Sequence, residues 1–257
     1  MAKFILLASL LFVATSWGAE PNVILITFDG MRAEDFIGQQ HENLPWFWSE
    51  LAPRGTVFSP ESKIQMKVSN ETFISLPGYQ NILSGYVTEC TYNECEPQSS
   101  ETLAGRVRRE LSLKEYQVGA LASWEGIARA FNEKGGVAFI NAGKVAFDDG
   151  VPSEEVTEIN SAQMQDLPPW DGARWDKYTM ALATRFVKVH KPRFLMVSFN
   201  DTDAWAHEWN WNEYIKSLRA YDEWLKNLVK TLDELPGYGE NTSILITTDH
   251  GRGSGDQ

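Results

Sequence analysis

Short apolar runs rich in β-branched residues recur along the chain. They are NVILITF (22–28), TVF from Thr56, QVGALAS (117–123), VAFIN (137–141), RFLMVSF (193–199) and SILITT (243–248). Because the runs are nearly continuous and do not alternate with polar residues, they predict strands buried on both faces of a largely parallel sheet. We expect the last run, 243–248, to be a buried central strand.

Helical periodicity separates several of these runs. Between residues 212 and 235 the apolar positions step by three and four, which predicts one buried stripe along a helix that ends at Pro236 and Gly237. Residues 100–111 and 176–190 read as further helices. Strands that alternate with helices indicate an α/β fold, with a largely parallel central sheet in a three-layer α/β/α arrangement.

The first 19 residues are typical of a cleaved secretory signal. Lys3 precedes an apolar run from Phe4 to Val13, and small residues follow up to Ala19. A membrane anchor is the alternative, but the run is shorter than the ~20 residues that a spanning helix needs. We therefore predict a signal peptide over 1–19, one catalytic domain over 20–257, and no membrane span after cleavage.

Charge and cysteine content narrow the class of protein. The formal charge is −12, from 35 acidic and 23 basic residues, and no Lys/Arg cluster stands out. A nucleic-acid partner is disfavoured, because phosphate backbones are bound by basic surfaces. The two cysteines, Cys90 and Cys95, predict a short-loop disulfide in an oxidising compartment, with a zinc or redox role as the alternative.

Three Asn-x-Ser/Thr triplets bear on the source of the protein. They begin at Asn70, Asn200 and Asn241. Two of them lie beside the segments that we assign to chemistry, where a glycan would obstruct access. We therefore expect an exported bacterial protein, periplasmic or secreted.

Acidic residues and histidines follow three of the strand-like runs. They are Asp29 after the first run, Asp201, Asp203 and His207 after the fifth, and Asp249 and His250 after the last. Parallel strands place these ends on one edge of the sheet, where ligands bind and where crowded carboxylates repel unless a cation compensates them. Mixed carboxylate and imidazole ligands suit zinc or manganese better than calcium. For Asp29 alone, a turn or helix-cap role is the alternative.

Two local patterns add to this interpretation. Asp203 and His207 are four residues apart, which places both on one face if the segment is helical. Ser75 precedes Pro77 and a short helical run, so it is either an N-cap or a hydroxyl that points into the field of a helix N-terminus, which favours an alkoxide.

With these motifs the sequence resembles the alkaline phosphatase superfamily, and in particular its nucleotide pyrophosphatase/phosphodiesterase-like members. The resemblance consists of four motifs in the family's order, spanning 22–251: ITFDG, SLPGYQNILSG, DAWAH and DHG. It implies two divalent metal ions, zinc with manganese as the alternative. One ion would be held by Asp29, Ser75, Asp249 and His250, and the other by Asp203, His207 and a further histidine. Ser75 would be the nucleophile that attacks phosphorus.

The sequence departs from this pattern in two places. No histidine follows DHG before Gln257, and the remaining His41 and His190 lie in no matching position, so we expect either a fragment, which we favour, or a weakly held second metal. Sulfatases of the superfamily have arginine where this chain has Tyr79. Sulfatase chemistry is therefore disfavoured relative to phosphoryl transfer.

These motifs predict an exported, metal-dependent hydrolase that acts on a small-molecule phosphate ester, either a diester or a monoester. Two alternatives remain: a phosphoryl or phosphoglycerol transferase or mutase of the same superfamily, and a catalytically degenerate binding protein. The indole rings at 205, 209 and 211 are either core or an aromatic wall for the substrate. Arg174 is either an anion clamp or part of a salt bridge at a helix start.

Overall fold

The computed structural model describes residues 20–38, 41–59, 71–132, 136 and 138–252. The predicted signal peptide, 1–19, and the triplet residue Asn70 lie outside the described residues. No helix in the described ranges is long and apolar enough to cross a membrane.

Five parallel strands form one sheet in the order β3-β2-β4-β1-β5. The strands are β1 (Asn22–Phe28), β2 (Val118–Ala122), β3 (Phe139–Ala142), β4 (Phe194–Phe199) and β5 (Thr242–Thr247). In the central pairing, Val23 of β1 lies opposite Phe194 of β4, and on the other side Thr27 lies opposite Thr247 of β5. The three strands that carry the predicted site residues, β4, β1 and β5, are therefore adjacent.

Helices cover both faces of the sheet. They are α1 (Ala33–Phe36), α2 (Ser75–Ser84), α3 (Leu103–Glu110), α4 (Ile127–Phe131), α5 (Glu154–Gln165), α6 (Asp176–His190), α7 (Asp201–His207) and α8 (Trp211–Asp233). Short 3₁₀ or π-helical turns occur at Phe47–Leu51, Ala52–Arg54, Glu115–Gln117 and Gly239–Asn241. The predicted helices over 100–111, 176–190 and 212–235 correspond to α3, α6 and α8.

Side-chain alternation along the strands divides the core between two layers. Ile24 and Ile26 of β1 pack with buried residues of α6 and α8, such as Phe186 and Leu225. Leu25 points to the opposite face and packs with buried residues of α2, α3 and α4. Apolar residues on both sides of a strand require a helical layer on each face. The predicted three-layer α/β/α fold is thus confirmed.

Two strand predictions are wrong in detail. Residues 56–59 form no strand. In the part of the chain that the structure describes, β5 pairs with β1 alone and lies at an edge, with Leu245 54% exposed. Ser243 and Leu245 point outward while Ile244 and Ile246 pack on the core. A continuous apolar run therefore did not distinguish this edge strand from a central one.

Candidate functional site

The carboxyl ends of β1, β4 and β5 meet at one edge of the sheet. Asp29 directly follows β1, α7 begins with Asp201 two residues after β4, and Asp249 and His250 follow β5. Asp29, Asp203, Asp249 and His250 are all less than 10% exposed. Strand order, and not proximity in sequence, brings these groups together.

Helix α2 brings Ser75 to the same place. The N-cap of α2 is Ile74, in an extended conformation, and Ser75 is the first helical residue, so the alternative of Ser75 as N-cap is wrong. Its side chain is therefore available to the strand ends. Oγ of Ser75 donates to Oδ1 of Asp29 at 3.3 Å and lies 3.2 Å from Nε2 of His250.

The orientation of His250 indicates a cation between it and the carboxylates. Nδ1 lies 3.0 Å from the carbonyl oxygen of Gly251, so it carries the proton that donates to this acceptor. Nε2 lies 3.5 Å from Asp29, 3.5 Å from Asp249 and 3.8 Å from Asp203. A lone pair that faces three carboxylates is repelled unless a proton or a metal ion lies between them.

Asp203 connects this cluster to α7. Its Oδ2 lies 3.2 Å from Nε2 of His207, which is mostly exposed, so the predicted pairing on one helix face is present. Its Oδ1 faces His250 and also pairs with the guanidinium of Arg252. Arg252 further donates to the backbone oxygen of Asp203 at 3.1 Å. Asp203 therefore has one oxygen toward each of the two histidines.

Burial and mutual repulsion make two of these carboxyls hard to ionise. Burial, followed by the charges of Asp249 and Asp203, raises the pKa of Asp29 well above its usual value. Burial and the charge of Asp203 raise the pKa of Asp249 to about 7. Burial acts in the same direction on Asp203, but the hydrogen bond from His207 and the charge of Arg252 outweigh it, and the pKa of Asp203 is lowered.

The donor set fits a divalent cation. Asp29, Asp203 and His250 each offer one ligand atom, and these atoms lie within 4.8 Å of one another. Oδ2 of Asp249 is buried and has no hydrogen-bond partner. Buried carboxylates with an unsatisfied oxygen are stabilised by a metal ion, which also removes their mutual repulsion.

Two glycines let the strand ends and α2 approach closely. Gly30 has φ +61°, and an added Cβ would overlap Oδ1 of Asp203. Gly78 of α2 would place a Cβ 2.5 Å from the carbonyl oxygen of Asp249. Glycine at both positions is required by the close packing of α2, β1 and β5 around the site.

Sequence reasoning missed several residues that support the site. The hydroxyl of Tyr79 donates to Oδ2 of Asp29 at 3.1 Å and accepts from Ser198 at 3.0 Å. Burial and nearby Asp249 and Asp29 raise the pKa of Tyr79 well above its usual value, which keeps it a donor. Its position one helical turn after Ser75 was the available signal. Asn93 accepts the N–H of Leu76 at 3.0 Å, and no sequence pattern indicated it.

Other candidate residues lie elsewhere. His41 stacks on Trp48, and Nε2 of His190 lies 3.1 Å from Asp149, so neither contacts the site. The carboxylate of Asp201 accepts the backbone N–H of Asp176 at 3.3 Å and joins the starts of α7 and α6. In the described ranges, the third histidine that the resemblance implies is not found.

Arg174 is neither an anion clamp nor part of a salt bridge. Its side chain is fully buried and donates to Oγ1 of Thr179 at 2.9 Å and to the backbone oxygen of Asn141 at 3.1 Å. Burial lowers its pKa to about 10. The sequence placed the positive charge of Arg174 near the start of a helix. It did not indicate that the hydrogen-bond acceptors around Arg174 are uncharged.

The indole rings near α7 differ in their surroundings. Trp205 packs against Trp170 and Trp175, with ring centroids 5.0 and 5.8 Å away. Trp211 stacks on the guanidinium of Arg32 at 4.5 Å. Trp209 is exposed. Trp205 and Trp211 therefore fit the packing alternative.

Two solved structures share this α/β fold. An alkaline phosphatase from the Antarctic bacterium TAB5 has 16% identity and a TM-score of 0.51, over 91% of this chain and 80% of that one. A 2-O GAG sulfatase has 15% identity and a TM-score of 0.54, over 91% of this chain and 58% of the sulfatase. At such identity these similarities show the fold alone.

The chain belongs to the type I phosphodiesterase / nucleotide pyrophosphatase family, whose model matches residues 87–257. This range contains Asp203, His207, Asp249 and His250 but begins after Asp29 and Ser75. No curated protein matches the sequence significantly.

Proposed function

We propose that this protein is a metal-dependent hydrolase of phosphate esters with Ser75 as its nucleophile. The observation that carries the proposal is the position of the Ser75 hydroxyl, 3.2 Å from Nε2 of His250 and 3.3 Å from Asp29, at the start of a helix and beside buried carboxylates. The family assignment supports phosphoester chemistry. Both observations support a hydrolase that acts on small-molecule phosphate esters, either diesters or monoesters.

The residues divide between two metal ions in this proposal. Asp29, Ser75, Asp249 and His250 would hold one, and Asp203 and His207 would supply ligands to the other, with zinc favoured and manganese the alternative. When bound, such ions supply positive charge that favours the serine alkoxide and the developing charge on the phosphoryl oxygens. Mixed carboxylate and imidazole donors suit either metal.

The proposed reaction has two steps, the formation of a phosphoseryl group on Ser75 and its hydrolysis. Oγ of Ser75 loses its proton and forms a bond to phosphorus, while the ester P–O bond breaks and the alcohol leaves with a proton. The dipole of α2 favours negative charge at its first residue. Water then attacks the phosphoseryl group, releases phosphate or a phosphomonoester, and restores the hydroxyl. Tyr79 holds Asp29 in place throughout, because it donates to Oδ2 at 3.1 Å.

Two observations bear on the alternative activities. Tyr79 stands where sulfatases of the superfamily have arginine, and its hydroxyl is committed to Asp29 and Ser198, which disfavours sulfate esters. A degenerate binding protein is the second candidate, because the described residues offer Asp203 and His207, but no third histidine, to the second metal. Metal content distinguishes these: two equivalents per chain support the enzyme, and one or none supports degeneracy.

The test is metal-dependent release of nitrophenol from aryl phosphate mono- and diesters by the longest available form of the protein. We expect Ser75→Ala to lower kcat by about a thousandfold or more, since it removes the nucleophile. Ser161→Ala, on the exposed face of α5, is the matched control and should keep full activity. Activity that survives both chelation and Ser75→Ala would overturn the proposal.

We further propose that the protein is exported, that cleavage removes 1–19, and that 20–257 act as one catalytic domain. The Cys90–Cys95 disulfide supports an oxidising compartment. N-terminal sequencing of the protein from the periplasm or medium of a bacterial host should begin at Glu20. Retention of Met1 in the purified protein would contradict export by cleavage.

A further inference from the structure

Helix α2 is capped by a residue from another segment. Its N-cap residue, Ile74, has no side-chain oxygen to accept a backbone N–H. Pro77 has no N–H, and the N–H of Gly78 donates to the carbonyl oxygen of Ile74 at 3.0 Å. The N–H of Leu76 is accepted by Oδ1 of Asn93 at 3.0 Å, across 17 positions of sequence. Asn93 thus acts as the missing N-cap.

The loop that carries Asn93 is closed by a disulfide. Cys90 and Cys95 enclose Asn93, with their Cα atoms 5.8 Å apart. The backbone oxygen of Asn93 also accepts from the guanidinium of Arg129, on α4, at 2.7 Å. A covalently closed loop of this length has few accessible conformations, so the amide of Asn93 is held in position from both sides.

We propose that this disulfide-closed loop positions the nucleophile: the Cys90–Cys95 bond holds Asn93, and Asn93 fixes the first turn of α2, where Ser75 is the residue before Leu76. The catalytic part of this inference rests on the proposed function. Asn93 is a positioning residue that acts through the peptide N–H of Leu76. Without the cap the first turn frays, and a displacement of about 1 Å at a nucleophile is enough to lower kcat strongly.

Four forms of the protein test the proposal: wild type, Asn93→Ala, the double variant Cys90→Ser/Cys95→Ser, and the triple variant. The readouts are amide hydrogen exchange at Leu76 and separate kcat and KM values for an aryl phosphate ester. We expect exchange at Leu76 to accelerate about fivefold to tenfold and kcat to fall about tenfold in Asn93→Ala and in the double variant, with little change in KM. The triple variant should be no worse than Asn93→Ala, because both changes act on one contact.

Two further variants separate capping from general destabilisation. Asn93→Asp retains an acceptor oxygen and should restore the protection of Leu76. Thr102→Ala removes the cap of α3, where Oγ1 accepts the N–H of Gly105 at 3.2 Å, and should lower stability but leave exchange at Leu76 and kcat unchanged.

The proposal is overturned if the double variant exchanges at Leu76 as slowly as wild type, or if the effects of Asn93→Ala and the cysteine replacements multiply in the triple variant. If wild type turns over no phosphate ester, the proposed function fails instead, while the exchange rates at Leu76 still decide whether the loop caps α2.

Discussion

Oγ of Ser75 lies 3.2 Å from Nε2 of His250, although 175 positions separate the two residues. Both side chains also face Oδ1 of Asp29, at 3.3 and 3.5 Å. They meet because β1 lies between β4 and β5, and because α2 packs closely over the end of β5 through Gly78. Any change that shifts α2 or either strand end should therefore affect Ser75, the proposed nucleophile.

Gly30→Ala should lower both the stability of the fold and the metal affinity of the site. The loss of metal affinity is not expected from backbone strain alone. Gly30 has φ +61°, and an added Cβ would displace Asp203. We expect a loss of about 2 kcal/mol in the free energy of unfolding and a marked loss of metal affinity, measured by urea denaturation and metal titration.

Gly85→Ala is the control that measures the cost of placing an alanine at a positive φ without a steric clash. Gly85 has φ +79°, but an added Cβ would have no neighbour within 4 Å. The Gly85→Ala variant should lose about 1 kcal/mol in the free energy of unfolding and keep its metal affinity. Equal metal affinities in the two variants would show that Gly30 does not govern the position of Asp203.

Tyr79→Phe should weaken metal binding by about 10- to 100-fold, because it removes a hydrogen bond that orients Asp29. The hydroxyl donates to Oδ2 of Asp29 at 3.1 Å. Tyr238→Phe is the matched control: its buried hydroxyl donates to the backbone oxygen of Pro192 at 2.8 Å, far from the site. Each variant should lose about 1 kcal/mol of stability, but a loss of metal affinity in both would rule out a specific role for Tyr79.

The metal-free protein should lose stability as the pH rises from about 4 to about 7. The pKa of Asp249 is raised to about 7, so in this window the folded state binds a proton that the unfolded state has released. The loss in the free energy of unfolding that Asp249 causes is at most about 4 kcal/mol and does not increase further above pH 7. Urea denaturation of wild type and Asp249→Asn at pH 5 and pH 8 measures it.

Metal should reverse this dependence. Binding displaces the protons from Asp249 and Asp29, so zinc should raise the melting temperature more at pH 8 than at pH 5. If the pH dependence of wild type equals that of Asp249→Asn in the metal-free state, the carboxyl does not titrate as described.

Arg174→Met should destabilise the fold by about 3 kcal/mol without an effect on catalysis by the folded fraction. The buried guanidinium satisfies Thr179 and Asn141, and its removal leaves buried acceptors without donors. Urea denaturation and KM for a phosphate ester measure the two effects. A rise in KM with unchanged stability would restore the interpretation of Arg174 as an anion clamp.

The sequence predicted those parts of the fold that depend on local patterns. Continuous apolar runs identified β1 and β4, which are covered on both faces, and periodicity identified α8. The spacing of Asp203 and His207 predicted their contact, because it matches one helical turn. Among the described strands β5 lies at an edge, and the sequence did not predict this position. The apolar content of a strand indicates how much of it is buried, but not which strands it pairs with.

The supporting contacts of the site depend on distant pairs. Tyr79 reaches Asp29 across 50 positions, and Asn93 reaches Leu76 from a separate loop. No periodicity or local spacing encodes such pairs, because they arise when helices dock on the sheet. Arg174 illustrates the same limit: its charge was visible in the sequence, but its neutral acceptors were not.

Parallel pairing of β1 with β5 has a consequence for synthesis on the ribosome. Gly30 and Asp249, which are hydrogen-bonded at 3.1 Å, lie 219 positions apart. During translation β1 can acquire β4 as a neighbour but keeps an open edge until β5 emerges, and open strand edges favour aggregation. The acidic residues that we propose as metal ligands therefore come together late in synthesis, and factors that shield exposed β-edges should matter more for the yield of the protein than for its stability once folded.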